Sequence, residues 1–318
     1  MNTTWSKYVQ KIATLYQTRM LRFDDRFKED YVRAFDIDSA KRILEIGAGP
    51  GALTQALCRW YSDAEVVGLD IDAKFVKFAK AQASNIRFIE GDINSLPLDD
   101  NSFDVVISHT VQEHVVPGLF FREQYSVLKP DGVCLVLSAR RGINIAADVI
   151  SETSEFEKEM HRKTEHLTKA ADEKYGVGKY SCTEQEMPHL MGMYGFKNIR
   201  TKYLTINLTP DSEEHDIDFG VKMINANRRV HLDSIELLHN IAADSVIAAD
   251  SKIAIDAASD TLSNGMPNGV SDTVSNEDLG RWAHEINKKY DTRTQQYLAG
   301  DKQWDTNISL TMVLRGVK

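Results

Sequence analysis

From residue 41 onward the apolar positions keep changing rhythm. RILEIG (42–47) is a short β-branched run ending in glycine, whereas ALTQALCRWY (52–61) brings its apolar residues back at helical spacing. EVVGLD (65–70) reads as strand again and AKFVKFAKAQA as helix. IRFIEGD, FDVVISH and VCLVLSA are further strands, the last reached through a helical connection, HVVPGLFFREQYSVLKPDG. This alternation from 41 to 139 predicts right-handed βαβ units that build a parallel sheet.

The flanks follow other rules. Residues 3 to about 35 are helix-like, with Trp5, Tyr8, Ile12, Leu15 and Tyr16 near helical spacing and then Phe23, Phe27, Tyr31 and Phe35. After 140 comes charged helical sequence, SETSEFEKEMHRKTEHLTKAADEKYG. A helix around 183–194 and a strand around 198–208 follow. Residues 212 to about 303 do not alternate, and within them SNGMPNGVSDTVSNED reads as a mobile loop or linker. ISLTMVLRGVK closes the chain as an alternating strand.

Composition narrows the function classes. The chain has 318 residues, 42% of them hydrophobic, which is ample for a core. A net charge of -9 argues against unaided binding to a nucleic-acid backbone, which needs clustered Lys and Arg. Cys58, Cys134 and Cys182 are far apart and form no C-x-x-C, so neither a disulfide framework nor a thiolate metal site is read. His161 and His166 lie five apart, on different helix faces, and read as a solvated helix rather than metal ligands. No apolar run approaches a membrane span, and the expectation is a cytoplasmic protein; nothing in the sequence speaks to oligomeric state.

The chemistry concentrates in LEIGAGPGALT (44–54). Gly47, Gly49 and Ala52 fit the loop that holds a dinucleotide pyrophosphate, while Gly47, Gly49 and Gly51 fit G-x-G-x-G. Either way a strand-to-helix loop points backbone N–H groups and a helix N-terminus at a ligand. Glu45, inside the strand, would face a phosphate unfavourably but can orient a loop around a cationic group. Asp70 ends the second strand, where a carboxylate accepts from both ribose hydroxyls, and Asp92 in GDINSLPL can accept from an adenine amino group with Ile93 on the ring.

Taken in order, LEIGAGPGALT, VVGLDID, EGDINSLPLDDNSFDVVISHTVQEHV and VLKPDGVCLVLSA resemble the motifs of class I S-adenosylmethionine (SAM) dependent methyltransferases. The likeness covers about 41–139. It implies an α/β, Rossmann-like, seven-stranded, mostly parallel sheet with an antiparallel last strand, an N-terminal helical cover and helical insertions. The implied division is a cover at 1–40 and a core at 41–211 with a helical lid near 143–180. An insertion at 212–303, flexible over 241–278, and a last strand at 304–318 complete it. The resemblance sets Gly47, Ala48 and Gly49 against the methionyl part of SAM, Asp70 at the ribose and Ile71 beside the adenine. Asp92 and Ile93 meet the adenine, and His109 lies near the methionyl amine or the methyl group. Asp131 stands in KPDG where the family often has Gly.

For the acceptor, His109, Glu113 and His114 in SHTVQEHVV are the candidate catalytic groups, with His109 equally suited to a cofactor contact and His114 read first as packing under the cofactor. Tyr16 and Arg19 are candidate cofactor contacts, an arginine pairing the SAM carboxylate, although the same segment suits a solvated basic face. Arg140 and Arg141, just past the fifth strand, would meet an anionic acceptor or solvent. The expected acceptor is a small molecule. The rival readings are a protein or RNA methyltransferase that recognises its substrate through 212–303, and a SAM-binding module without catalysis.

Overall fold

The computed structural model describes residues 4–145, 152–242, 274–303 and 305–318, and the side chains of 141–145 are not described. The flexible segment expected over 241–278 thus lies largely outside the described residues.

Seven strands form one sheet: β1 (Arg42–Ile46), β2 (Glu65–Asp70), β3 (Arg87–Glu90), β4 (Phe103–His109), β5 (Leu128–Ile145), β6 (Lys197–Asn207) and β7 (Thr306–Val317). Their spatial order is β3-β2-β1-β4-β5-β7-β6. β1 pairs in parallel with both β2 and β4, and β7 alone runs antiparallel, between β5 and β6. The order reverses between β1 and β4, and an open parallel sheet binds ligands at the carboxyl ends beside such a reversal.

Strand side chains alternate between two cores, as a pleat of period two requires. Ile43, Val105, Ile107, Leu135 and Leu137 face one side. They pack there with Phe23, Tyr31 and Phe35 from the N-terminal helices and with Leu53, Leu57 and Trp60 of α3 (Ala52–Trp60). Leu44, Ile46, Val106, Cys134 and Val136 face the other side. There they meet Phe120 and Phe121 of α5 (Pro117–Val127) and Met187 and Met191 of α7 (Glu186–Met193). α4 (Ala73–Gln82) joins β2 to β3, its N-terminus capped by Asp72. Within β5, where its register against β4 shifts between Leu128 and Val133, Asp131 takes φ 64°, a left-handed position that Asp tolerates.

The N-terminal cover is not one helix. A π-turn at Trp5–Val9, α1 (Ile12–Arg22) and α2 (Lys28–Phe35) are separated by extended Gln10 and Lys11 and by Asp24. Asp24 accepts from Arg26 N and starts a short 3₁₀ turn, a capping choice that helical periodicity does not reveal. α6 (Glu155–Tyr175), α8 (Ile217–Ala242) and α9 (Asn276–Ala299) form a separate helical cap around buried Leu167, Leu238, Trp282 and Ile286. The insertion expected at 212–303 therefore folds, where described, as two long helices against α6.

Candidate functional site

A cavity of about 550 Å³ opens at the carboxyl ends of β1, β2 and β4. That is a size suited to a small ligand or cofactor. Its floor is the loop after β1. Gly47 N and Ala48 N both donate to Leu69 O, at 2.8 and 2.9 Å, and Gly49 N donates to Asp70 Oδ2 at 2.7 Å. Gly47 and Gly49 have φ of 70° and 55°. A Cβ on Gly47 would lie 2.3 Å from Val111 Cγ2, so chirality and space both demand glycine there.

Of the residues singled out in the sequence, Glu45, Gly47, Ala48, Gly49, Asp70, Ile71, Asp92, Ile93, His109, Glu113, His114 and Arg19 all line this one cavity. Two do not. Tyr16 turns away, its hydroxyl donating to Gln55 Oε1 at 3.1 Å and its ring meeting Phe78. Gly51 is the left-handed residue before α3, and a side chain there would run into Phe88, so its part is packing. Arg140 is also elsewhere: its guanidinium reaches Glu184 at 3.1 Å and Cys182 O at 3.1 Å. The side chain of Arg141 is outside the described residues.

Three buried groups set the electrostatics. Burial pushes the Glu45 carboxyl up to about 8, and the Asp70 charge adds to this against the hydrogen bond from Thr54. Asp70 is pushed up to about 6, again chiefly by burial, against the bonds it takes from Asp72 N and Gly49 N. Burial, then the charges of Arg19 and Arg22, hold His109 well below its ordinary value, so its imidazole is neutral at pH 7. His109 packs edge-on to Phe23, and its Nε2 has no partner among the described residues. Glu113 Oε2 is likewise buried and unpartnered among them.

His114 is differently placed. Gly178 N donates to its Nδ1 at 2.9 Å and Trp5 meets its ring edge. A neutral imidazole that accepts at Nδ1 carries its proton on Nε2. His114 therefore presents a donor and also ties the segment after α6 to the core. Gln112 and Glu113 help it: Gln112 Nε2 donates to Tyr180 O and Tyr180 N to Glu113 O, both at 2.9 Å.

The remaining wall was not legible in the sequence. Trp5, Val9 and Gln10 come from the N-terminal segment, Phe23 from the end of α1, Thr110 from beyond β4, and Tyr175 and Val177 from the end of α6. Thr110 takes φ 54°, unusual for a β-branched residue, and its Oγ1 accepts from Arg19 Nη2 at 3.3 Å. Asp72, wholly buried, accepts from Ser6 N at 2.8 Å and Ser6 Oγ at 3.0 Å. Asp72 N in turn donates to Asp70 Oδ1 at 2.8 Å, so the N-terminal segment is wired to the end of β2. The sequence offered Trp5 and Phe23 as apolar helical positions, and a helical lid near 143–180, as hints for this wall.

Comparison with known proteins agrees with the geometry. The family described as a methyltransferase domain matches residues 44–136. The chain is 26% identical over 172 residues to a fatty-acid O-methyltransferase of Mycolicibacterium smegmatis, covering 44% of this chain and 62% of that one. It is 32% identical over 127 residues to a demethylmenaquinone methyltransferase of Paenarthrobacter aurescens, covering 39% and 46%. It thus spans about half the length of such curated relatives. Among solved structures, phosphoethanolamine N-methyltransferase 2 of Haemonchus contortus in complex with SAM aligns over 95% of this chain and 57% of that one. That alignment has 16% identity and a TM-score of 0.45. Residues 44–136, which carry the glycine loop and the parallel strands around it, thus match a methyltransferase domain.

Proposed function

We propose that the chain binds SAM in this cavity and transfers its methyl group to a small-molecule acceptor. The observation that carries the reading is the convergence of the Gly47–Gly49 loop, Asp70, Asp92 and His109 on one cavity at the sheet's point of reversal. The residues suit that donor. The glycine floor leaves room where side chains would intrude, Asp70 offers carboxylate oxygens to a ribose, and Ile71 and Ile93 offer apolar surface to an adenine.

SAM supplies a methyl group on a sulfonium, which is its own leaving group. What the protein must add is alignment and, for an acceptor that has to lose a proton, a base. His109 suits that role because it is neutral at pH 7 and lines the cavity. His114 suits orientation, since its proton stays on Nε2 while Gly178 occupies Nδ1. Glu113, with an unpartnered oxygen, is the second candidate for taking a hydrogen from the acceptor. Among the described residues no helix is long and apolar enough to cross a membrane. We place the protein in the cytoplasm, a reading supported by its three free cysteines.

The test is transfer of radiolabelled methyl from SAM into the small-molecule, protein and RNA fractions of a source extract, with calorimetric titration of SAM alongside. Label confined to small molecules is expected. Label in protein or RNA would move recognition to α8 and α9, and SAM binding without label in any fraction would favour a non-catalytic module.

A further inference from the structure

We propose that the acceptor is an organic acid, an apolar body ending in a carboxylate that Arg19 receives inside the cavity. The proposal rests on the methyl-transfer reading and names its substrate class.

Beyond the residues proposed for the donor, much of the wall is apolar or aromatic: Trp5, Val9, Phe23, Val115 and Val177. One permanent cation is set into it. Arg19 is half-buried and lines the cavity, and its hydrogen bond goes to a neutral hydroxyl, Thr110 Oγ1. No carboxylate among the described residues lies within ion-pair distance of it. The other arginines considered for an anion are engaged elsewhere, Arg22 with Ser309 and Arg140 with Glu184, and neither lines the cavity.

The surrounding groups offset Arg19 only in part. Glu45 is mostly protonated at pH 7 because burial pushes it up to about 8, and His109 is neutral. Burial and the neighbouring Arg22 lower Arg19 itself to about 9, which leaves it charged at pH 7. Glu113 and Glu45 are the carboxylates that act on it. A guanidinium held out of water without an ion-paired counter-charge is costly, and a ligand carboxylate that pairs with it recovers that cost. An ammonium acceptor would meet Arg19 and the donor's sulfonium together, two like charges in a poorly solvated site. A carboxylate complements both. A phosphate would call for a second cation, and among the described residues Arg19 is the only arginine or lysine lining the cavity.

The experiment uses the full chain. SAM is first titrated into wild-type protein, and failure to bind it would remove the methyl-donor reading itself. The protein saturated with S-adenosylhomocysteine is then titrated with decanoate and 3-phenylpropanoate, and with the alcohol and amine of each body. The acids should bind about tenfold or more tighter than their alcohols and amines, the scale of a charge-assisted bond. Arg19→Gln should remove that preference and Arg19→Lys keep part of it, both with SAM affinity unchanged. Alcohols binding as tightly as acids would overturn the proposal, as would none of the probes binding. A parallel loss of SAM affinity in Arg19→Gln would also overturn it, assigning Arg19 to the donor's own carboxylate. The wild-type comparison of acid with alcohol stands even if a variant fails to fold.

Discussion

The sheet core and the helical cap solve the same burial problem with different materials. In the core, strands of near-continuous apolar residues are covered on both faces, and glycine marks where backbone must come close. The cap buries Trp282, Ile286, Leu167 and Leu238, yet much of its packing is laced by charge. Lys289 pairs with Glu157, Lys163 with Asp278, and Arg281 with Glu159. At its base Arg293 and Asp211 form an ion pair, both nearly fully buried. Strands β1 to β5 of the core follow one another through short connections along the chain, while these charge pairs join α6 to α9, more than a hundred residues apart. Helices so distant in sequence need specific partners to choose one another, and charge pairs supply that choice. Function follows the same division: the proposed donor half of the cavity comes from loops of the core, and the acceptor half from segments that the cap and the N-terminal cover hold in place.

The largest test of this contrast is Asp211→Asn. It leaves Arg293 only the more distant Asp305, at 4.0 Å, and breaking a buried pair from one side costs about 3–5 kcal/mol. Urea unfolding should show a loss of that size, while SAM affinity below the transition should be unchanged. Equal loss of both would merge cap and core into one functional unit.

Next in size is Asp70→Ala, on the core side. We expect SAM affinity to fall by about 1.5–3 kcal/mol, the worth of hydrogen bonds to a charged group, in a calorimetric titration. Unchanged affinity would remove Asp70 from the donor site.

Ser6→Ala cuts one of the two bonds to Asp72 and should cost about 0.5–1.5 kcal/mol. Because this contact joins the cover to the core, SAM should also dissociate faster, measured by stopped flow. An unaltered off-rate would make the contact purely structural.

The last test is a pH dependence. Glu45 has a folded value near 8 against an ordinary 4.5, so between those values the fold keeps a proton that the unfolded chain has released. Stability therefore falls as pH rises through that window. Glu45→Gln should remove this part of the slope when melting temperatures are compared at pH 5 and pH 8. Parallel profiles would mean that Glu45 ionises in the fold.

Much of the proposed donor site was legible in the chain because a parallel βαβ sheet carries every strand's carboxyl end to one edge. Glu45, Gly47, Asp70, Asp92 and His109 each lie in or just past a strand, so identifying the strands brought them together. Arg19 and Tyr16 show where such reading stops. They lie three apart on α1, on neighbouring helical positions. Yet Tyr16 binds Gln55 of α3, and Arg19 reaches Thr110 past β4. Periodicity tells which residues of a helix are apolar, not which neighbour each will meet. Arg140 makes the same point in reverse: its place past the core of β5 suited a ligand, but Glu184, arriving from beyond α6, took it.

The sequence by itself determined the alternating core, its strands, the glycine loop and the acidic residues that follow β2 and β3, because these depend on local periodicity and on backbone geometry that only certain residues adopt. The tertiary structure decided which residues close the other half of the cavity. Trp5, Arg19, Phe23, Tyr175 and Val177 meet there through contacts between segments up to about 170 positions apart, and such contacts are fixed by packing and pairing across the fold rather than by any pattern within one segment.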